Sequence, residues 1–143
     1  MKTTKNVKAY MISALILLGF IAWIGPSPEE VLGTWKGTGF KFEQHEGPEL
    51  PALEEGGKSI HLQSTLTLSP NKTYQMVNPD GSMNGKGIWK LEDKVLTLTD
   101  ERQNVIQYEI VSLEKNRLTT SHSVEMETPE GKVAGRILLT YSR

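Results

Sequence analysis

The chain has 143 residues, with 16 Lys and Arg against 17 Asp and Glu and no cysteine. That length holds one domain, and the missing cysteine excludes disulfides, thiol nucleophiles, Cys-ligated zinc and a lipidated cysteine anchor. Lys2, Lys5 and Lys8 are the only charges before Glu29; setting those three aside leaves 13 basic against 17 acidic residues, a mildly acidic remainder with no electrostatic footprint for nucleic acid.

Ala9 to Ile24 is an apolar run interrupted only by Tyr10, Ser13 and Gly19. The run is somewhat short for a full bilayer span but within reach with its flanks, and its lysine-led, acid-free setting predicts a transmembrane or signal helix over residues 1–25. The positive-inside rule leaves the lysines in the cytoplasm and everything after Gly25 on the extracytoplasmic side, in a periplasm or at the cell surface. Cleavage wants small residues at the last and third-last positions. Cutting after Ala22 puts Phe20 third-last, cutting after Gly25 puts Trp23 there, and cutting after Ser27 places Pro28 next. A retained signal anchor is the expectation, and secretion after cleavage is the alternative. Residues 26–32, opening Pro26-Ser27-Pro28-Glu29-Glu30, read as a short stiff linker.

Residues 33–143 read as eight short strands. Thr34 to Phe42 is the first. A long connection, Glu43 to Lys58, follows; it is acidic, broken by Pro48, Pro51 and Gly56-Gly57, and predicted to be a lid or a mobile loop. Glu43, His45 and Glu46 within it fit no established metal motif, so no metal site is expected. Ser59 to Ser69 predicts the second strand, with Ile60, Leu62, Leu66 and Leu68 alternating onto one face. Pro70-Asn71 turns into Thr73–Asn78, and Pro79-Asp80-Gly81-Ser82 turns into Gly85–Leu91. Glu92-Asp93 predicts a tight hairpin into Val95–Thr99. Val105–Leu113, Leu118–Glu127 and Val133–Ser142 complete the set, the last two joined through Thr128-Pro129-Glu130-Gly131.

No connection after Ser59 leaves room for a helical crossover, so neighbouring strands are antiparallel. An open sheet of eight would leave two raw edges and an apolar face in water, and closure removes both. The predicted fold is all-β: an eight-stranded antiparallel up-and-down barrel, its first strand hydrogen-bonded to its last. A two-sheet sandwich is the alternative.

Leu32-Gly33-Thr34-Trp35-Lys36-Gly37 resembles the Gly-x-Trp opening of lipocalins. Leu66 to Tyr74, then Gly87-Ile88-Trp89-Lys90-Leu91, then Val95-Leu96-Thr97-Leu98 resemble the small bacterial lipocalin-like domains, over about residues 32 to 143. The resemblance implies an exported, often membrane-attached barrel. It also implies that Trp35 lies across the closed end under a basic residue, Arg143 by position with Arg136 as fallback, and that the first interstrand connection covers the open mouth.

Tyr74, Met76, Trp89 and Tyr108, with Leu66, are candidates for the barrel interior, either as a packed core or as the lining of an apolar pocket. Thr120 and His122 share the more apolar face of their strand. There they either orient a ligand or make core hydrogen bonds. No catalytic set emerges: the serines lack a Gly-x-Ser-x-Gly setting, and three histidines without cysteine define no zinc site. The expectation is a non-enzymatic, cofactor-free, membrane-tethered domain binding a small hydrophobic molecule. The alternative is a filled barrel that acts as an interaction domain of the cell envelope, its protein partner undefined.

Overall fold

The computed structural model describes residues 25–143. The apolar run from Ala9 to Ile24, and with it the expected signal-anchor helix, lies outside the described residues. Among the described residues no helix is long and apolar enough to cross a membrane.

Eight strands form among the described residues: β1 (Gly33–Glu46), β2 (Thr65–Leu68), β3 (Thr73–Val77), β4 (Gly85–Glu92), β5 (Val95–Asp100), β6 (Val105–Glu114), β7 (Arg117–Thr128) and β8 (Gly131–Ser142). Each pairs antiparallel with its sequence neighbour, and β1 pairs with β8, so the barrel is closed. β1 changes partner along its length. Its first residues face β2, from Gly33 opposite Leu68 to Lys36 opposite Thr65. From Lys36 opposite Ser142 to Glu46 opposite Ala134 it runs along β8, with irregularities at Gly37/Gly39 and Gln44/Glu46. Such bulges bend a strand and let one segment serve two sides of a small barrel.

One end of the barrel is packed shut. Trp35, Leu66, Leu68, Trp89, Leu96, Leu98, Ile110, Leu118 and Tyr141 are all buried there in one cluster. Burying a side chain of this size contributes about 1.5–3 kcal/mol, so this end holds the barrel together. Arg143 lies over the Trp35 indole, its guanidinium carbon 4.1 Å from the ring centroid. Its Nη1 donates to Leu32 O and its Nε to Lys115 O at 2.7 Å. Trp89 donates from Nε1 to Ser69 O at 3.0 Å, and Lys72 sits 4.1 Å above its ring.

The segment read as a linker is folded into this base. Pro28–Val31 makes a single helical turn, α1. Proline suits the first helical position, and the Glu30 carboxylate accepts from Ser27 N at 2.7 Å, as in a capping box. Val31 is 0% exposed, and its carbonyl accepts from Trp35 Nε1 at 2.8 Å. Gly25 abuts the Asp93 backbone, where an added Cβ would stand 2.5 Å from Asp93 O.

The first connection departs from the sequence reading. Residues Ser59–Leu62 do not extend β2; they end a second helix, α2 (Pro51–Leu62). Ile60 and Leu62 mimic a strand alternation with Leu66 and Leu68, but Leu53, Gly57 and Ile60 carry the helical spacing. Pro51 opens the helix, Glu54 stands in its first turn, where its charge is favourable to the helix dipole, and His61 in its last. The chain leaves the helix at Ser64, whose N and Oγ donate to His61 O at 3.0 and 2.8 Å. A smaller difference concerns the hairpin after β4. Glu92 stays in the strand opposite Val95, and the turn is Asp93-Lys94, with Asp93 at φ +53°.

Candidate functional site

At the end opposite the packed base, the barrel interior and α2 enclose a cavity of about 430 Å³. Pockets for small ligands run from roughly 300 to 1,000 Å³, so the space suits one modest molecule.

Strand alternation sets its depth. On β7 the inward residues Met126, Val124 and His122 line the cavity, while Thr120 and Leu118, next toward the base, are packed core. On β6 Ile106 and Tyr108 line it and Ile110 is core; on β3 Met76 lines it and Tyr74 is core. Ile137, Leu139 and Tyr141 descend β8, and Phe40 and Phe42 come from β1. Tyr108, His122 and Tyr141 therefore mark the floor, under walls of aliphatic, methionine and phenylalanine side chains.

α2 forms the roof, through Ala52, Leu53, Gly56, Gly57, Ile60 and His61. Two devices seat it. Before the helix, Gln44 Nε2 donates to Gly47 O and Pro48 O, both at 2.8 Å. At its far end His61 Nε2 donates to Thr140 O at 2.9 Å, and its ring meets Tyr141 edge-on at 4.8 Å. Between them Gly57 lies on the Phe40 ring so closely that an added Cβ would stand 2.7 Å from Phe40 Cζ. Across the mouth, the β3–β4 turn is braced by Asn78, whose Oδ1 accepts from Met83 N at 2.9 Å and whose Nδ2 donates to Asp80 Oδ1 at 2.6 Å. Met83 is thereby held at the cavity edge. It is exposed, as are Leu53 and Ile106, so the mouth has an apolar rim.

The floor is uncharged at neutral pH. Burial pushes Tyr108 up to about 12, helped by its neighbour Tyr74. Burial raises Tyr141 further and lowers His122. His61 is also lowered by burial, against an opposing pull from its bond to the Thr140 carbonyl. Tyr108 and His122 meet edge to face at 5.1 Å. His122 Nδ1 and Thr120 Oγ1 are buried without a hydrogen-bond partner. An unpaired N–H is harder to bury than an unpaired lone pair, so the His122 proton belongs on Nε2.

Of the six ligand-binding candidates, Met76, Tyr108 and His122 meet at the cavity. Tyr74, Trp89 and Thr120 sit in the packed interior. Trp35 and Arg143 form the base, and Arg136 instead pairs with Glu43 at 3.1 Å on the barrel wall. Among the described residues no His, Asp and Glu gather into a metal-holding group. The roof residues were not among the candidates, although Leu53, Gly57 and Ile60 at helical spacing carried the signal. Phe40 and Phe42 also went unassigned, despite lying at the end of the first predicted strand.

The family model for the lipocalin-like domain matches residues 31–120, well over half of the chain. The chain belongs to this family. No curated protein matches it.

Proposed function

We propose that this lipocalin-like barrel binds a small apolar or amphipathic molecule beneath α2, as an exported domain tethered to a membrane by its amino-terminal run. The observation that carries the binding reading is the roofed, largely apolar cavity of about 430 Å³ above a fully packed base. Domains of this family generally bind small hydrophobic ligands. Export and tethering rest on the lysine-flanked apolar run before Gly25. The reading includes no catalysis, in keeping with a generally non-enzymatic family. Glu109, the nearest carboxylate candidate to His122 in the strands, is exposed on the outside of the barrel.

The rival reading, an interaction domain, draws on a different observation. Ile88 on β4 and Val105 on β6, both opposite Thr99 of β5, are each 60% exposed. Its filled interior, however, is at odds with the cavity.

Binding is tested on the full chain in native membranes with a photoreactive diazirine analogue of a long-chain alcohol. Labelling of peptides holding Phe40, Phe42 or Met126, competed by unlabelled alcohol, supports the reading. Labelling confined to the barrel exterior refutes it. For the tether, carbonate extraction should leave a full-length chain in the membrane pellet. A soluble product shortened at its amino terminus would replace the anchor with secretion.

A further inference from the structure

The cavity's charge pattern narrows its ligand. Among the described residues no Lys or Arg lines it, and Glu54 on α2 is the one charged side chain that does. Arg136, on β8 beside the lining residues Ile137 and Leu139, is held by the Glu43 carboxylate at 3.1 Å. At the floor stand two phenols and an imidazole, all neutral at pH 7. With Nδ1 sealed and unpaired, Nε2–H is the His122 group left to meet a ligand, as a donor. The walls from floor to rim are apolar, through Phe40, Phe42, Val124 and Met126, and Ile60 faces them from the roof.

We infer that the site selects neutral amphiphiles with a hydroxyl, ester or amide head, held head-down on Tyr108 and His122 with the chain rising toward the rim, and that it rejects fatty-acid anions. This rests on the binding reading above. An acyl carboxylate at the floor would be stripped of water with no cation to meet it, and an unpaired buried charge is far costlier than a buried hydroxyl that finds a partner. A hydrocarbon without a head would leave the floor's polar groups unanswered, which a site built around hydrogen bonding penalises.

The test uses the photolabelled full chain, with dodecanol, dodecanoate and dodecane as competitors of equal chain length at pH 7.5. Dodecanol should protect the cavity peptides at a concentration roughly tenfold or more below either of the others. In the His122→Phe variant dodecanol should lose most of its advantage over dodecane, while protection by dodecane persists. Dodecanoate competing as well as dodecanol would overturn the inference and leave the binding reading standing. So would dodecane competing as well as dodecanol, or a His122→Phe chain that still prefers the alcohol as strongly. Absence of any cavity labelling would overturn both.

Discussion

Gly56 and Gly57 are neighbours in α2, and their replacement by alanine separates helix propensity from the seating of the roof. Alanine in a helix interior is favoured over glycine by about 0.5–1 kcal/mol. At Gly56 an added Cβ meets nothing within 4 Å, so Gly56→Ala should gain that full amount. At Gly57 the Cβ would stand 2.7 Å from Phe40 Cζ and 2.9 Å from Cε2, well inside contact distance. Overpacking of this kind costs about 1–3 kcal/mol. The two variants should therefore differ by about that amount, since the propensity gain is common to both. Phe40 lines the cavity, so a ring displaced by Gly57→Ala also narrows the ligand space. Urea unfolding of each full-chain variant measures the stability difference, and dodecanol protection of the cavity peptides measures the second effect. If Gly57→Ala stabilises as much as Gly56→Ala and leaves protection unchanged, α2 is not seated on Phe40 and the roof described above is wrong.

Thr120 is 0% exposed with an unpaired hydroxyl, so Thr120→Val should be neutral or stabilising by about 1 kcal/mol in urea unfolding; a loss of that size would mean the hydroxyl is satisfied. Replacing Arg143 with methionine removes the stack on Trp35 and the bonds to Leu32 and Lys115, and should cost about 1–3 kcal/mol in the same assay. His61 and His122 are lowered by burial, so below about pH 6.5 the unfolded chain binds more protons than the folded one. Stability should therefore fall from pH 7 to pH 5, and fall less in His122→Phe, as read from urea midpoints across that range. Tyr108 and Tyr141 are raised, so from about pH 10 upward the unfolded chain sheds protons first and stability should decline again. An ultraviolet titration should show both phenols still protonated at pH 11 in the folded chain.

Much of the barrel was legible because alternation and turn chemistry agreed along β3 to β8. Pro79-Asp80-Gly81-Ser82, for example, marks a turn by composition, and in the fold Asp80 accepts from Ser82 N at 2.8 Å. The absence of room for crossovers gave antiparallel neighbours, closure followed from the raw edges an open sheet of eight would leave, and β1 does pair with β8. The roof was harder to see. Its two glycines argue against a helix by local propensity, and Ile60 and Leu62 offer a strand pattern that continues into Leu66 and Leu68. What decides is tertiary: Gly57 is accommodated because a ring occupies the space a side chain would need. Interior candidates were recognisable as inward-facing, but alternation assigns a face and not a depth. Tyr74 and Met76 share one face of β3, yet only Met76 reaches the cavity. The floor is set by how far the base packs upward, which depends on all eight strands together.

The position of Gly25 has a consequence for traffic. It abuts the Asp93 turn beneath the plugged base, at the foot of a cup whose brim is at the far pole. A cup standing on its foot holds its brim away from the surface that carries it. Under the tethering proposed above, a ligand would be exchanged with the compartment the brim faces and not by lateral slippage from the bilayer beneath. α2, bonded through His61 to Thr140 and packed on Phe40, covers that same brim.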